Sequence, residues 1–171
     1  MPTIMSHAII PLAAALALGP HRISRPIMFT GMGLAMLPDL DVISFLLNID
    51  YADQFGHRGA SHSLFAAGLV AGLITTWLRP ERWRLIFAFL FASMASHGLL
   101  DTLTDGGLGA ALFWPVSDAR IFAPATPIAV SPIAHHFFSI QGLWVLLSEF
   151  LWIWLPAMIA VAVVRTQARV R

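Results

Sequence analysis

Apolar residues along this chain gather into five stretches: approximately Pro2–Gly19, Pro26–Leu47, Ser63–Leu78, Trp83–Leu100 and Leu143–Val164. Each comes close to the roughly 20 residues that cross a bilayer as a helix. The pattern predicts an all-α fold, a polytopic membrane helix bundle of about five transmembrane helices forming a single membrane-embedded domain over residues 1–171. The second helix is expected to break near Pro38, within "LPDLD" (Leu37 to Asp41), because proline removes a backbone donor and two carboxylates follow. The shorter stretches suit a tilted helix or a thin bilayer. The first twenty residues read as a retained helix, since they lack a basic leader and carry His7 and Pro11. Between the fourth and fifth stretches lies an interfacial loop of about forty residues, Asp101 to Ile140, rich in Gly and Pro and expected to hold a short interfacial helix.

Composition strengthens the membrane reading. Hydrophobic residues make up 58% of the chain and charged residues 11%, against about 25% charged in an ordinary soluble domain. Mean hydropathy is +0.77. The absence of cysteine excludes disulfides, thiolate zinc sites and a cysteine nucleophile. All ten basic residues are arginine, so a Walker-type phosphate loop and Schiff-base chemistry are excluded as well. A net charge of +1 makes no electrostatic case for nucleic acid, and no contact with it is expected.

The arginines predict an orientation. Arg22, Arg25, Arg79, Arg82, Arg84, Arg165, Arg169 and Arg171 fall on one side of an alternating five-span topology, and Arg58 and Arg120 on the other. The positive-inside rule then puts the N-terminus outside and the C-terminus in the cytoplasm, in the bacterial inner membrane.

Placing the ionisable residues by a helical rise of about 1.5 Å brings several into one layer below the outer surface. Asp39 lies about 20 Å up from Pro26, His97 at a similar height above Arg84, and Asp101 one turn higher. His7 and Glu149 sit a little below the outer ends of their stretches, and His62 at the mouth of the third. His21 belongs to the opposite side. Ionisable groups inside a membrane cost a few kcal/mol each and normally face one another at a site. His97 and Asp101, four apart, leave the same helix face, so both are expected to turn toward the bundle interior.

Histidine and carboxylate without cysteine suit a divalent metal: Zn²⁺ foremost, with Mn²⁺ or Fe²⁺ as alternatives, as one or two ions. "HRGASHS", His57 to Ser63, reads as a turn opening a helix, with Ser61 or Ser63 as its cap. In "LPDLD" the alternating carboxylates suit a ligand and a general base, or a bridging pair. His135 and His136 read as loop residues, Asp105 and Asp118 as turn formers, Asp50 and Asp53 as solvated charges. Glu149 fits either a functional role or a pairing with a neighbouring helix.

At His7, "LPDLD", "HRGASHS" and "HGLLDTLTDGG" the chain resembles the membrane-bound metal-dependent hydrolases, a family of inner-membrane-associated proteins of which some are linked to LexA. The likeness continues through "LFWPVSDARIFAP" and "SEFLWIWLP" and so covers nearly the whole chain. It implies a polytopic membrane protein with a metal site and hydrolase activity. Carried onto this sequence, it implies His7, Asp39, Asp41, His57, His62, His97 and Asp101 as metal ligands. Two other membrane families do not fit. Lipid phosphatases need a lysine and an arginine six before the final histidine, where Phe91 stands; zincin peptidases need His-Glu-x-x-His.

Three functions follow as expectations. The first is a metal-dependent hydrolase near the periplasmic face, acting on an ester or phosphodiester of a lipid-like substrate, with Asp41 or Glu149 as general base and Arg58 holding a phosphate oxygen. The second is a non-catalytic membrane scaffold or regulator with a structural polar or metal site. The third is a metal or proton transporter, which requires a polar path to both faces. The expected partners are the lipid bilayer and an interfacial substrate; oligomeric state is left open.

Overall fold

Every apolar stretch becomes a helical rod in the computed structural model, which describes residues 1–131 and 137–170, the last two without side chains. His135 and His136 lie outside the described residues. The rods are α1 (Ile4–Leu18); α2 (Arg25–Met36) continued by a 3-10 segment Leu37–Val42 and α3 (Ile43–Leu46); α4 (Leu64–Leu78); α5 (Trp83–Thr102); and α6 (Ile140–Glu149), a π-helical turn Phe150–Trp154 and α7 (Leu155–Val170). The chain is a helical membrane bundle. Arg25–Leu46, Trp83–Thr102 and Ile140–Ala168 are long and apolar enough to cross a membrane. α1 and α4 have 15 residues each, about 22 Å at 1.5 Å per residue, short of a hydrocarbon core of about 30 Å.

The break in the second rod has a local cause. Pro26 opens α2, where a missing N–H is free of cost. Pro38 then offers no N–H to the Leu34 carbonyl, which is taken instead by Leu37 in a tighter turn. The chain winds on as a 3-10 segment to Val42, and this change of pitch buries Asp39 while Leu40 stays exposed.

α5 is the central rod, packed against α1, α2, α4 and both 3-10 segments. Ile86, Leu90, Met94, His97 and Asp101 lie on one buried stripe at helical spacing. The lower part of that stripe packs with Leu34, Ala67 and Ala71 in an apolar core; its upper part is ionisable. Small residues let the helices approach closely, as bilayer packing favours. Ala35, Ala67 and Ala71 are fully buried, and Gly31 lies against Phe89 and Ser93.

Of the loop between the fourth and fifth rods, where a short interfacial helix is expected, residues 103–131 carry no helix, and residues 132–136 lie outside the described residues. Two isolated bridges, Thr104 with Ile128 and Ala110 with Ile121, hold this segment. Its backbone bonds to neighbouring segments as well as to itself: the Ala111 N–H donates to Arg58 O (3.0 Å) and the Leu112 carbonyl accepts from Leu64 N (3.0 Å). Arg120 clamps the same coil, donating to the carbonyls of His57, Tyr51 and Asp53.

Gly98 sets the contact between α5 and the turn that carries His62. A Cβ there would lie 2.3 Å from the His62 carbonyl oxygen and 2.9 Å from Leu112 Cδ2, whereas one at Gly33 would meet nothing within 4 Å. Gly98→Ala is therefore expected to cost about 1–3 kcal/mol of stability, as overpacking does. Gly33→Ala should leave stability unchanged or slightly higher. Thermal unfolding of both variants in detergent checks the pair; an unchanged Gly98→Ala would mean that α5 and the turn are not held at this distance.

Candidate metal centre

Asp39, His62, His97 and Asp101 meet at one end of the bundle. Three pieces of chain deliver them: the 3-10 segment after α2, the turn before α4, and the last turns of α5. All four are buried, each presents one ligand atom, and those atoms lie within 4.8 Å of one another. His97 Nε2 stands 3.3 Å from Asp39 Oδ1 and 3.8 Å from Asp101 Oδ2. His62 Nε2 stands 3.2 Å from Asp101 Oδ2 and 3.0 Å from His97 Nε2.

Hydrogen bonds behind the group aim these atoms. His97 Nδ1 lies 2.7 Å from the Ala35 carbonyl, which can only accept, so Nδ1 carries the proton and Nε2 keeps a lone pair. His62 Nδ1 lies 3.1 Å from Asp41 Oδ2, with the same consequence. Asp41 in turn accepts from Ser61 Oγ (2.6 Å) and Arg58 N–H (3.1 Å), and its other oxygen lies 2.5 Å from His57 Nδ1. Ser63, not Ser61, caps α4 by accepting from Ala66 N–H.

Among the described residues, neither carboxylate of the group has a hydrogen-bond donor. Both oxygens of Asp39 and both of Asp101 are buried without one. Arg58 Nε comes within 3.2 Å of Asp101 Oδ2 as an ion pair, though its N–H is not aimed for a hydrogen bond. Buried polar atoms are nearly always satisfied, and buried charges are paired or coordinate a metal. Two bare carboxylates facing two imidazole lone pairs form a set that could hold a divalent ion. The carboxylates of Asp101 and Asp41, 3.2 and 3.1 Å from the two ring nitrogens of His62, also favour a proton there. A proton at His62 and a divalent cation thus answer the same excess of acceptors.

The other expected residues surround this group. His7, fully buried on α1, stacks on the His97 ring at 3.7 Å and points Nε2 toward Asp101 Oδ1 at 3.7 Å; neither of its nitrogens has a partner. His57 and Asp41 lie one layer out, bonded to each other. Arg58, 1% exposed, takes a left-handed backbone (φ 63°) and spans from Asp101 to the Gly106 carbonyl (2.9 Å) and Thr104 Oγ1 (3.1 Å). Gly107 (φ +86°) makes room for it, since a Cβ there would fall 2.9 Å from Arg58 Nη1.

Glu149 has a different environment. Its oxygens accept from Thr3 N–H, Thr3 Oγ1 (2.6 Å) and Ser6 Oγ (2.7 Å) at the start of α1. Trp154, on the π-helical turn, donates to Ser6 Oγ (2.7 Å). A carboxylate at a helix N-terminus satisfies orphan N–H groups and meets the positive end of the dipole. His21 sits at the far end of the bundle, in the α1–α2 loop, where its carbonyl accepts from Arg82 Nη1 (3.0 Å).

The profile of the YdjM inner membrane protein family matches residues 1–170. The chain belongs to this family. It is 42% identical over 173 residues to the inner membrane protein YbcI of Escherichia coli (strain K12), covering 93% of this chain and 94% of that protein. No solved structure matches it. Membership in a family of inner membrane proteins agrees with the apolar rods, and it covers the chain from the His7 helix through the last rod.

Elemental analysis of detergent-purified protein should find a divalent metal that His97→Ala and Asp39→Asn abolish and His21→Ala retains. Asp41→Asn, which loosens the support of His62 together with His57, Ser61 and the Arg58 N–H, should weaken metal affinity about 10–100-fold. Metal retained at full stoichiometry in both ligand variants would place it elsewhere. Glu149→Gln should keep the metal yet lose about 1–3 kcal/mol of stability, the cost of leaving buried donors poorly paired; metal loss in this variant would instead make Glu149 part of the centre.

Proposed function

We propose that this protein is a membrane-bound, metal-dependent hydrolase that cleaves an ester or phosphodiester of a lipid-like substrate at the periplasmic side of the inner membrane. The observation that carries the reading is the pair of buried, donorless carboxylates opposite two oriented imidazoles. Asp39, His62, His97 and Asp101 would hold the ion, Zn²⁺ by the chemistry of the set, with Mn²⁺ and Fe²⁺ as alternatives. When bound, such an ion supplies Lewis acidity toward the scissile group and activates the attacking water. His7, its nitrogens unspent beside Asp101 Oδ1, is the residue that would serve a second ion. Asp41 acts as a positioning residue, since both its oxygens are already engaged by His57, Ser61, His62 and the Arg58 N–H. Arg58 is placed to hold an anionic oxygen beside Asp101. The contacts of Glu149 support a structural role at α1.

Two features favour catalysis over the alternatives. His57 and Arg58 line a cavity next to the group, so a substrate has a way to approach. A transporter needs a polar path through the other half of the bundle, where Leu34, Ile86, Phe89 and Leu90 pack in an apolar core. The complete burial of the four ligands is the one observation that favours a structural metal site. The orientation rests on the arginines. Arg58 and Arg120 share the end of the bundle that carries the metal centre, and Arg82 lies at the end that carries His21. By the positive-inside rule the centre faces the periplasm.

Release of product from a panel of lipid esters and phosphodiesters by metal-loaded protein tests the proposal. Hydrolysis of at least one should fall to background in Asp101→Asn and after chelation, and return when metal is restored. Stoichiometric metal with no hydrolysis of any substrate, together with lost thermal stability after chelation, would turn the reading to the scaffold.

A further inference from the structure

A cavity of about 880 Å³ adjoins the metal centre, within the roughly 300–1,000 Å³ of small-molecule sites. Its walls come from the start of α1 (Ile4, Met5), the end of the second rod (Val42, Phe45) and the loop before α6 (Phe138). These five side chains are all partly or largely exposed, Phe138 at 91%, so the apolar mouth opens where the bundle surface meets lipid. The opposite wall is polar: His57 and Arg58. His57 connects through Asp41 to His62, and Arg58 Nε is 3.2 Å from Asp101. The cavity therefore runs from the exposed apolar surface to the two residues that back the candidate metal ligands, apolar at one end and cationic at the other.

The cationic end selects the head group. Arg58 is buried, and its guanidinium has five N–H donors. Nε faces Asp101, one Nη1 donor is spent on Gly106 O and one Nη2 donor on Thr104 Oγ1. Among the described residues, two donors are left. An uncharged head group would leave these without a good acceptor, whereas a phosphate takes them in a charge-assisted fork. Arg58 also touches Asp101, a carboxylate of the candidate metal centre, so a phosphate held by Arg58 would lie beside that centre.

We propose that this cavity is the chain-binding half of the site: it takes the hydrocarbon tail of a phosphate-bearing membrane lipid whose phosphate reaches Arg58 beside Asp101. This rests on the hydrolase reading for its purpose, but the cavity itself can be tested without turnover. Full-length protein in lipid nanodiscs is photolabelled with two probes carrying the same diazirine-tagged chains, phosphatidic acid and diacylglycerol, and the labelled residues are mapped by mass spectrometry. Phosphatidic acid should label Met5, Val42 and Phe45 about tenfold above the lipid-facing Leu69 and Leu73 of α4, a difference of about 1.4 kcal/mol in occupancy. Diacylglycerol should not show this preference. Val42→Trp, filling the cavity, should remove the excess labelling while metal content and α4 labelling stay as in wild type. Arg58→Gln should bring phosphatidic acid down to the diacylglycerol level; should that variant fail to fold, the probe comparison in wild type still decides the head group.

Uniform labelling of the apolar surface, or excess labelling that survives Val42→Trp, overturns the chain site. Equal labelling by the two probes overturns the phosphate. Cavity labelling that persists in a protein hydrolysing nothing defeats the hydrolase reading and leaves the lipid site standing, whereas hydrolysis with uniform labelling does the reverse.

Discussion

Asp39 and Asp101 hold two carboxylates inside the bundle with no hydrogen-bond donor among the described residues on any of their four oxygens. A buried unpaired charge costs several kcal/mol, more than most single contacts return, so the surrounding structure is organised around relieving it. Arg58 meets one of them, and two imidazole nitrogens converge on both. The four residues come from the broken second rod, the turn before α4 and the end of α5, so the same cluster that could hold a cation also ties three segments together. A cation at this point would be worth binding energy and folding energy at once.

Around that cluster the polar groups are engaged in order. Ala35 O and Asp41 fix the two histidine tautomers; Ser61, His57 and the Arg58 N–H fix Asp41; Arg120 and the loop 103–131 fix the coil that carries His57 and Arg58. Each layer is held by the next one outward. The long loop joins this arrangement through Ala111 N–H, which donates to Arg58 O, and through Arg120, while much of its backbone closes turns and bridges within the loop. The left-handed backbone of Arg58 belongs to the same arrangement, since it lets one residue donate its N–H to Asp41 and its side chain to Asp101, Gly106 and Thr104. Holding the non-glycine residue there costs about 1–3 kcal/mol, borne by those contacts.

Glu149 shows how two different needs produce the same sequence signal. A lone carboxylate near the outer end of an apolar stretch is what a metal ligand looks like in a membrane sequence. It is also what an unsatisfied helix N-terminus requires. The π-helical turn at Phe150–Trp154 brings Glu149 and Trp154, five residues apart, onto the N-terminal end of α1 together. Depth along a span does not distinguish neighbours within a layer.

Hydrophobic period and length were enough to establish the helical membrane bundle, the five rods and the break at Pro38, because in lipid every backbone group must be satisfied within its own helix. Chain spacing also put His97 and Asp101 on one inward face. Which candidates would share a site was decided elsewhere. Four of the seven expected ligands converge as one group, Asp41 and His57 stand behind it, and His7 stacks on its edge. That division depends on rotation of α1 about its axis, the pitch of the 3-10 segment and the path of the His57–Ser63 coil. None of these leaves a mark in hydropathy, since each is set by close packing at residues such as Gly98 and by hydrogen bonds between segments far apart in the chain.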